Sequence, residues 1–357
     1  MLTDEHFDDL QKKGYTVVSD VLTNDECDKT IDQYKQWLSQ FTDEGEWPFS
    51  ANSLIQRYNA GHMEPTWFAR LKSKRVFAQV WKTEKLLTSF DAIAIGRPPE
   101  ESEEQFHRPG QHWFHVDQSA IRSGLHAYQG AVYLEAADED DWTLHVMEGS
   151  HAHFENFFAN NERARIRSEN NNYYSYLDEE VIEMRKNGCR EKRVAVPKGG
   201  MVLWDSRLIH ANASPIKGRK HPGRWRYCVF VSMTPAIWAS KNDIKEKKDA
   251  YDKACMTTHW SSQDVMIFKT AIPSYAKQDV EYPKELPDIA NSREAKLISG
   301  VIPYDFNDAL PNGDAYTPKW LNKKRGHETD FGKLGKLLVG VAVGLSVISL
   351  VVYKLRK

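Results

Sequence analysis

Three side chains suggest chemistry. His115, Val116 and Asp117 end an apolar stretch, and in an extended strand residues two apart point to the same face. The imidazole of His115 and the carboxylate of Asp117 can therefore converge on one ion. His210 follows the apolar run Met-Val-Leu-Trp at 201–204 and can supply a second imidazole. Two histidines and one carboxylate on one side of a metal leave its remaining positions open, the facial arrangement of non-haem Fe(II) oxygenases. The competing reading makes His115 and His210 barrel-mouth residues satisfied by hydrogen bonds.

A dicarboxylate that chelates such a metal at one end needs a cation at the other. Arg226 opens the strand-like run RYCVFVSMTP, and its planar fork suits a carboxylate. Arg224, two residues earlier, shares that face if the strand starts early. The remaining signals are weaker. His145, His151 and His153 cluster in LHVMEGSHAH, as a second metal site or as the end of a strand and the start of a helix. Asp205, after Trp204, either orients an imidazole or lies in a surface turn. Trp47, Phe49, Trp67, Phe68 and Trp81 read as core builders before they read as a substrate mouth.

These residues need strands to hold them. The spacing predicts a helix over 4–13 stopped by Gly14, a strand over 15–18, and a helix running from an N-cap at Thr23 to Leu38. A further helix starts at Met63, and strands are predicted over 86–95, 113–117, 128–135, 143–147, 193–196, 201–204 and 227–233. Charged, helical residues 154–187 interrupt the strands as an insertion. The expected fold is mainly β with flanking helices, a double-stranded β-helix of the jelly-roll type. An oxygenase domain would span 1–290 and a linker 291–332, where Pro303, Pro311 and Pro318 break the apolar periodicity.

The ordered motifs resemble the phytanoyl-CoA dioxygenase superfamily, in its fungal-type branch. FDDLQKKGYTVVSDVLTNDEC is similar to that family's opening helix-strand-helix, and LLTSFDAIAI to the strand before its metal motif. HVDQS, LHAYQGAVYL, LHVMEGSH, GGMVLWDSRLIHANASP and RWRYCVFVSMTP resemble the segments around its ligands. The resemblance implies Fe(II) held by His115, Asp117 and His210. It implies 2-oxoglutarate as co-substrate beside O2, with its far carboxylate on Arg226 and with Gln129 lining its pocket. DEDDWT stands where the family often carries a DGG-like turn, so that turn is altered. A carboxylate at 117 implies hydroxylation or another oxidation, because related halogenases leave that position empty for halide. The substrate would be a small molecule or a lipid. The reading from another class is a silent binding or scaffold protein that keeps the fold.

Composition narrows the partners. With 48 basic and 50 acidic residues the chain lacks the excess of a nucleic-acid binder. Its 4 cysteines lack CxxC spacing and read as reduced thiols. The N-terminus is acidic and has no secretory layout. Residues 337–353 carry no charge and sit between Lys333, Lys336 and the basic Lys354, Arg356 and Lys357, so residues 333–357 read as a C-terminal transmembrane anchor. That anchor would hold a cytosolic catalytic domain on the mitochondrial outer membrane or the endoplasmic reticulum. Gly340 and Gly344 form a GxxxG pair that could bring two copies together.

Overall fold

The computed structural model describes residues 1–41, 47–171 and 173–320. Its strands are β1 (Tyr15–Val18), β2 (Leu54–Ile55), β3 (Leu86–Thr88), β4 (Ile93–Gly96), β5 (His115–Val116), β6 (Arg122–Ser123), β7 (Tyr128–Tyr133), β8 (Thr143–Glu148), β9 (Tyr174–Ser175), β10 (Arg190–Arg193), β11 (Met201–Asp205), β12 (His210–Ala213), β13 (Arg226–Pro235) and β14 (Lys319–Trp320). The helices are α1 (Asp4–Lys12), α2 (Asn24–Leu38), α3 (Glu64–Trp81), α4 (Phe154–Asn160), α5 (Glu162–Asn171), α6 (Asp178–Lys186), α7 (Lys241–Asp252) and α8 (Arg293–Ile298).

Antiparallel pairing sorts most of these strands into two sheets. The larger runs β1-β11-β7-β13-β4-β2, with β3 also on β13, and the smaller runs β10-β8-β12-β5-β9. Alternation along the strands decides what each face meets. On β7, Ala131 and Tyr133 turn inward to pack with Leu144 and Val146 of the smaller sheet. Val132 and Leu134 turn outward into a core shared with Trp67, Phe77 and Trp81 of α3. This is the expected jelly-roll core with helices on its outer face.

Local chemistry explains several boundaries. Thr23 caps α2, its side chain accepting from Glu26 N while the Glu26 carboxylate accepts from Thr23 N. Gly14 adopts φ +86 where α1 turns into β1, a conformation that suits glycine. The strand predicted over 86–95 is split into β3 and β4. Phe90 leaves the ladder to pack on His62 and Trp67, and its N–H donates to Thr257 Oγ1.

The stretch 154–187 is helical and also contributes a strand. Its β9 pairs with β5, placing Ser175 opposite His115, while Phe154, Phe157 and Phe158 pack on Phe114 and Val116. The segment read as a linker holds α8, with Ala295 and Ile298 fully buried. Further on, Lys85 donates to Asp308 and Asn312, and Thr83 to Pro311 O. These anchors are mostly polar, so apolar periodicity did not reveal them.

The expected C-terminal transmembrane helix, and the membrane localisation built on it, require correction. No helix of the described residues is long and apolar enough to cross a membrane. Residues 337–353, with Gly340 and Gly344, lie outside the described residues. A 17-residue helix would reach only about 25 Å, short of a hydrocarbon core of about 30 Å.

Candidate metal centre

His115 and His210 are Cα partners across β5 and β12. Each ring is fixed by its own chain: His115 Nδ1 lies 3.0 Å from Trp113 O, and His210 Nδ1 lies 2.9 Å from Leu208 O. A carbonyl can only accept, so both Nδ1 atoms carry the proton and both Nε2 lone pairs stay free for a metal. The Nε2 atoms lie 3.5 Å from Asp117 Oδ1 and Oδ2 respectively. Asp117 sits in the bend just beyond β5, and one potential ligand atom from each of the three residues falls within 4.8 Å of the others.

The electrostatics suit a cation. Burial pushes His115 down to about 4, with neighbouring His210 adding to the effect, so the imidazole is neutral at pH 7. Burial acts to raise Asp117, but the imidazoles of His115, His259 and His210 outweigh it and hold the carboxyl well below the usual range. The set is therefore two imidazole nitrogens and one carboxylate. Gln129 steadies that carboxylate, its Nε2 donating to Asp117 Oδ2 at 2.9 Å. Trp113 stacks on His115 at 4.5 Å, and the Trp204 ring lies 5.3 Å from His210.

Deeper in the barrel, Arg226 is 2% exposed. Its Nη1 donates to Ser53 Oγ at 3.1 Å and its Nη2 to Tyr133 Oη at 3.2 Å. No carboxylate of the described residues lies within ion-pair distance of it. Arg224 turns the other way and is bound by Asp138 and Asp141. A buried guanidinium facing two hydroxyls suits the far end of a dicarboxylate.

Other expected groups are engaged elsewhere. Asp205 orients no imidazole; it pairs with Arg207 at 2.7 Å. His145 meets Glu191 at 3.3 Å, and His151 bonds Gln11 O. The acidic trio Asp138, Asp140 and Asp141 is tied to Arg219, Arg224 and Lys220. Trp67 and Trp81 are fully buried.

Sequence reasoning missed Ser53, Tyr133 and His259. Tyr133 was legible in principle, because it shares the face of Gln129 at period two. His259 comes from an irregular stretch after α7 and carries no local signal. Its ring lies close enough to Asp117 that the ligand carboxylate acts on it, and burial lowers it to about 4.

A family model described as phytanoyl-CoA dioxygenase (PhyH) matches residues 10–218. Ava biosynthesis cluster protein O of Aspergillus versicolor is 23% identical over 286 residues, covering 73% of this chain and 90% of that protein. Among solved structures, GlcNAc Inducible Gene 2, GIG2, from Candida albicans superposes with a TM-score of 0.58 at 14% identity, over 87% of this chain and 79% of that one. EctD from S. alaskensis, solved with 2-oxoglutarate and 5-hydroxyectoine, gives 0.45 at 11% identity over 80% and 88% of the two chains.

Proposed function

The chain belongs to the phytanoyl-CoA dioxygenase (PhyH) family, and from that premise we propose that it is an Fe(II)- and 2-oxoglutarate-dependent oxygenase that hydroxylates a small molecule. Fe(II), 2-oxoglutarate and O2 are its cofactor and co-substrates. The observation that carries the reading is the pairing of a convergent His115-Asp117-His210 set with a buried Arg226 that has no acidic partner among the described residues. When bound, iron and 2-oxoglutarate supply oxidative decarboxylation to succinate and CO2 and the oxidising power for a substrate C–H bond.

The chain's own groups bind, orient and exclude water. The backbone carbonyls of Trp113 and Leu208 lock both imidazoles with Nε2 toward the metal. Gln129 fixes the Asp117 carboxylate, so a metal would meet a pre-set donor group and not a mobile one. Arg226, Tyr133 and Ser53 form the cradle for the distal carboxylate of 2-oxoglutarate, where burial strengthens the charge-assisted bonds. Asp117 occupies the position that a halogenase would leave to halide, which favours hydroxylation. A silent scaffold would need neither the locked tautomers nor a buried cation without an acidic partner among the described residues.

The test is anaerobic Fe(II) titration followed by 2-oxoglutarate turnover in air. The expected result is one Fe(II) per chain and succinate release, both lost in Asp117→Ala. Wild-type protein that binds no Fe(II), or that forms no succinate when loaded, overturns the reading.

A further inference from the structure

A loop outside the segment that carries the family match closes one end of the site. Residues 256–268 leave α7 and fold back on themselves, with Thr258 N donating to Met266 O and Phe268 N to Met256 O. The loop is fastened to β13: Ser261 Oγ donates to Ser232 O at 2.7 Å, and Ser262 Oγ lies 2.6 Å from Thr234 Oγ1. It is also fastened to the metal-motif segment. The guanidinium of fully buried Arg122 sits 3.7 Å over the Trp260 ring and pairs with Asp264 at 2.7 Å. Gln263 reaches His126 at 3.3 Å.

Register shows which end is closed. Arg226 lies at the start of β13, while Ser232 and Thr234 lie toward its finish, so the loop sits roughly 20 Å along the strand from the Arg226 backbone. Ser232 is the cross-strand partner of Gln129, the residue that holds Asp117. The dicarboxylate cradle is thus at one end, the loop is at the other, and Asp117 stands near the loop. A substrate held beside the metal set, away from the dicarboxylate cradle, would therefore meet the loop.

His259 is the residue the loop brings to that side. Its Nε2 is buried and has no hydrogen-bond partner among the described residues. An orphaned buried nitrogen costs roughly 1–3 kcal/mol unless something pairs with it. Thr258 Oγ1 beside it is likewise buried without a partner, while Ser261, Ser262, Gln263 and Asp264 are all engaged, so the unpaired polar atoms of the loop gather at positions 258 and 259. We propose that His259 is a specificity-determining residue whose Nε2 accepts a hydrogen bond from a hydroxyl of the substrate, so that the substrate is a hydroxyl-bearing compound and not a bare hydrocarbon chain. A hydroxyl satisfies either tautomer of the ring; a methylene satisfies neither.

The inference rests on the oxygenase reading above, and its test is separable from it. Wild type, His259→Phe and His259→Gln are compared metal-free by thermal melting, then loaded with Zn(II) and N-oxalylglycine for saturation-transfer NMR. The probes are cis-1,2-cyclohexanediol and octanoate. Melting of each metal-free variant, with one cooperative transition, shows that it is folded before binding is compared. The diol signal should fall about tenfold in His259→Phe, the worth of one hydrogen bond, and stay within about threefold of wild type in His259→Gln. Transfer to octanoate alone or to neither probe, or equal diol loss in both folded variants, overturns the proposal. Failure of the oxygenase reading shows differently, as wild-type protein without Fe(II) binding.

Discussion

His115 and His210 face one another across neighbouring antiparallel strands, their ring centroids 4.5 Å apart, and each gives its Nδ1 proton to the carbonyl two residues behind it. The two tautomers are set by the backbone carbonyls of Trp113 and Leu208, just ahead of β5 and β12, while Asp117 lies 3.5 Å from both Nε2 atoms. Both Nε2 atoms are thereby left as the nitrogen donors of the set.

From this follows a prediction about metal affinity. His115→Ala or His210→Ala removes a direct donor, and each should weaken Fe(II) binding by more than the 10–100-fold typical of outer-shell changes, so by at least about 100-fold. Gln129→Leu removes only the support of Asp117 and should fall inside that range. Anaerobic titration measures all three. Equal affinities for Gln129→Leu and His115→Ala would argue that Asp117, and not the histidines, dominates binding.

Much of this centre was legible because its parts are local. HxD in an extended strand puts two donors on one face, and the apolar run before His210 marks a neighbouring strand. What a linear reading cannot supply is which strands become neighbours. Tyr133 joins Arg226 through the β7–β13 register, and Ser53 arrives from near β2. His259 reaches the centre only because its loop is pinned by Arg122 and Ser232. The C-terminal anchor was the opposite case: apolar composition read as a span, while the described residues hold no such helix.

Arg226 and Arg224 provide a contrast two residues apart. Arg226→Ala removes the buried cation of the cradle and should weaken 2-oxoglutarate binding by 2–5 kcal/mol, about 30-fold or more, while Fe(II) affinity changes little. Arg224→Ala breaks a partly exposed link to Asp138 and Asp141 and should leave 2-oxoglutarate affinity within about twofold, in line with the small worth of such pairs. Equilibrium binding of 2-oxoglutarate to the Fe(II)-loaded protein decides. The reverse ranking would place the cradle on the wrong arginine.

Acid sensitivity should come partly from a histidine away from the metal. His62 is fully buried between Trp67 and Phe90, with Nε2 against Cys255 O, and burial pushes it down to about 3, with nearby Arg70 adding to the effect. Its unfolded counterpart takes up a proton near pH 6.5, so between about pH 6.5 and 3 the unfolded chain binds more protons. Stability contributed by neutral His62 is present above that window and declines as pH falls through it. The loss should be on the order of 2–4 kcal/mol at the acid end. His62→Phe keeps the aromatic packing and cannot titrate, so its denaturation midpoint should fall less steeply from pH 7 to 4 than that of wild type. Parallel slopes would remove His62 as a source of acid sensitivity.

The final prediction concerns the segment after residue 290. Ile298 on α8 has no exposed surface and belongs to the same core as Leu86 and Trp238. A tether between domains would tolerate its truncation. A buried isoleucine that completes the core would not, because three methyl or methylene groups are lost and a cavity is left behind. Ile298→Ala should therefore cost about 2–5 kcal/mol. The neighbouring Lys85, whose ammonium is held by Asp308 and Asn312, should become easier to acetylate if α8 and the chain after it detach. Urea denaturation with a reporter in the β-core, such as Trp204, measures the cost directly. One cooperative transition shifted to lower urea places 291–320 within the folding unit; an unshifted transition with faster proteolysis after residue 290 would return the segment to the status of a linker.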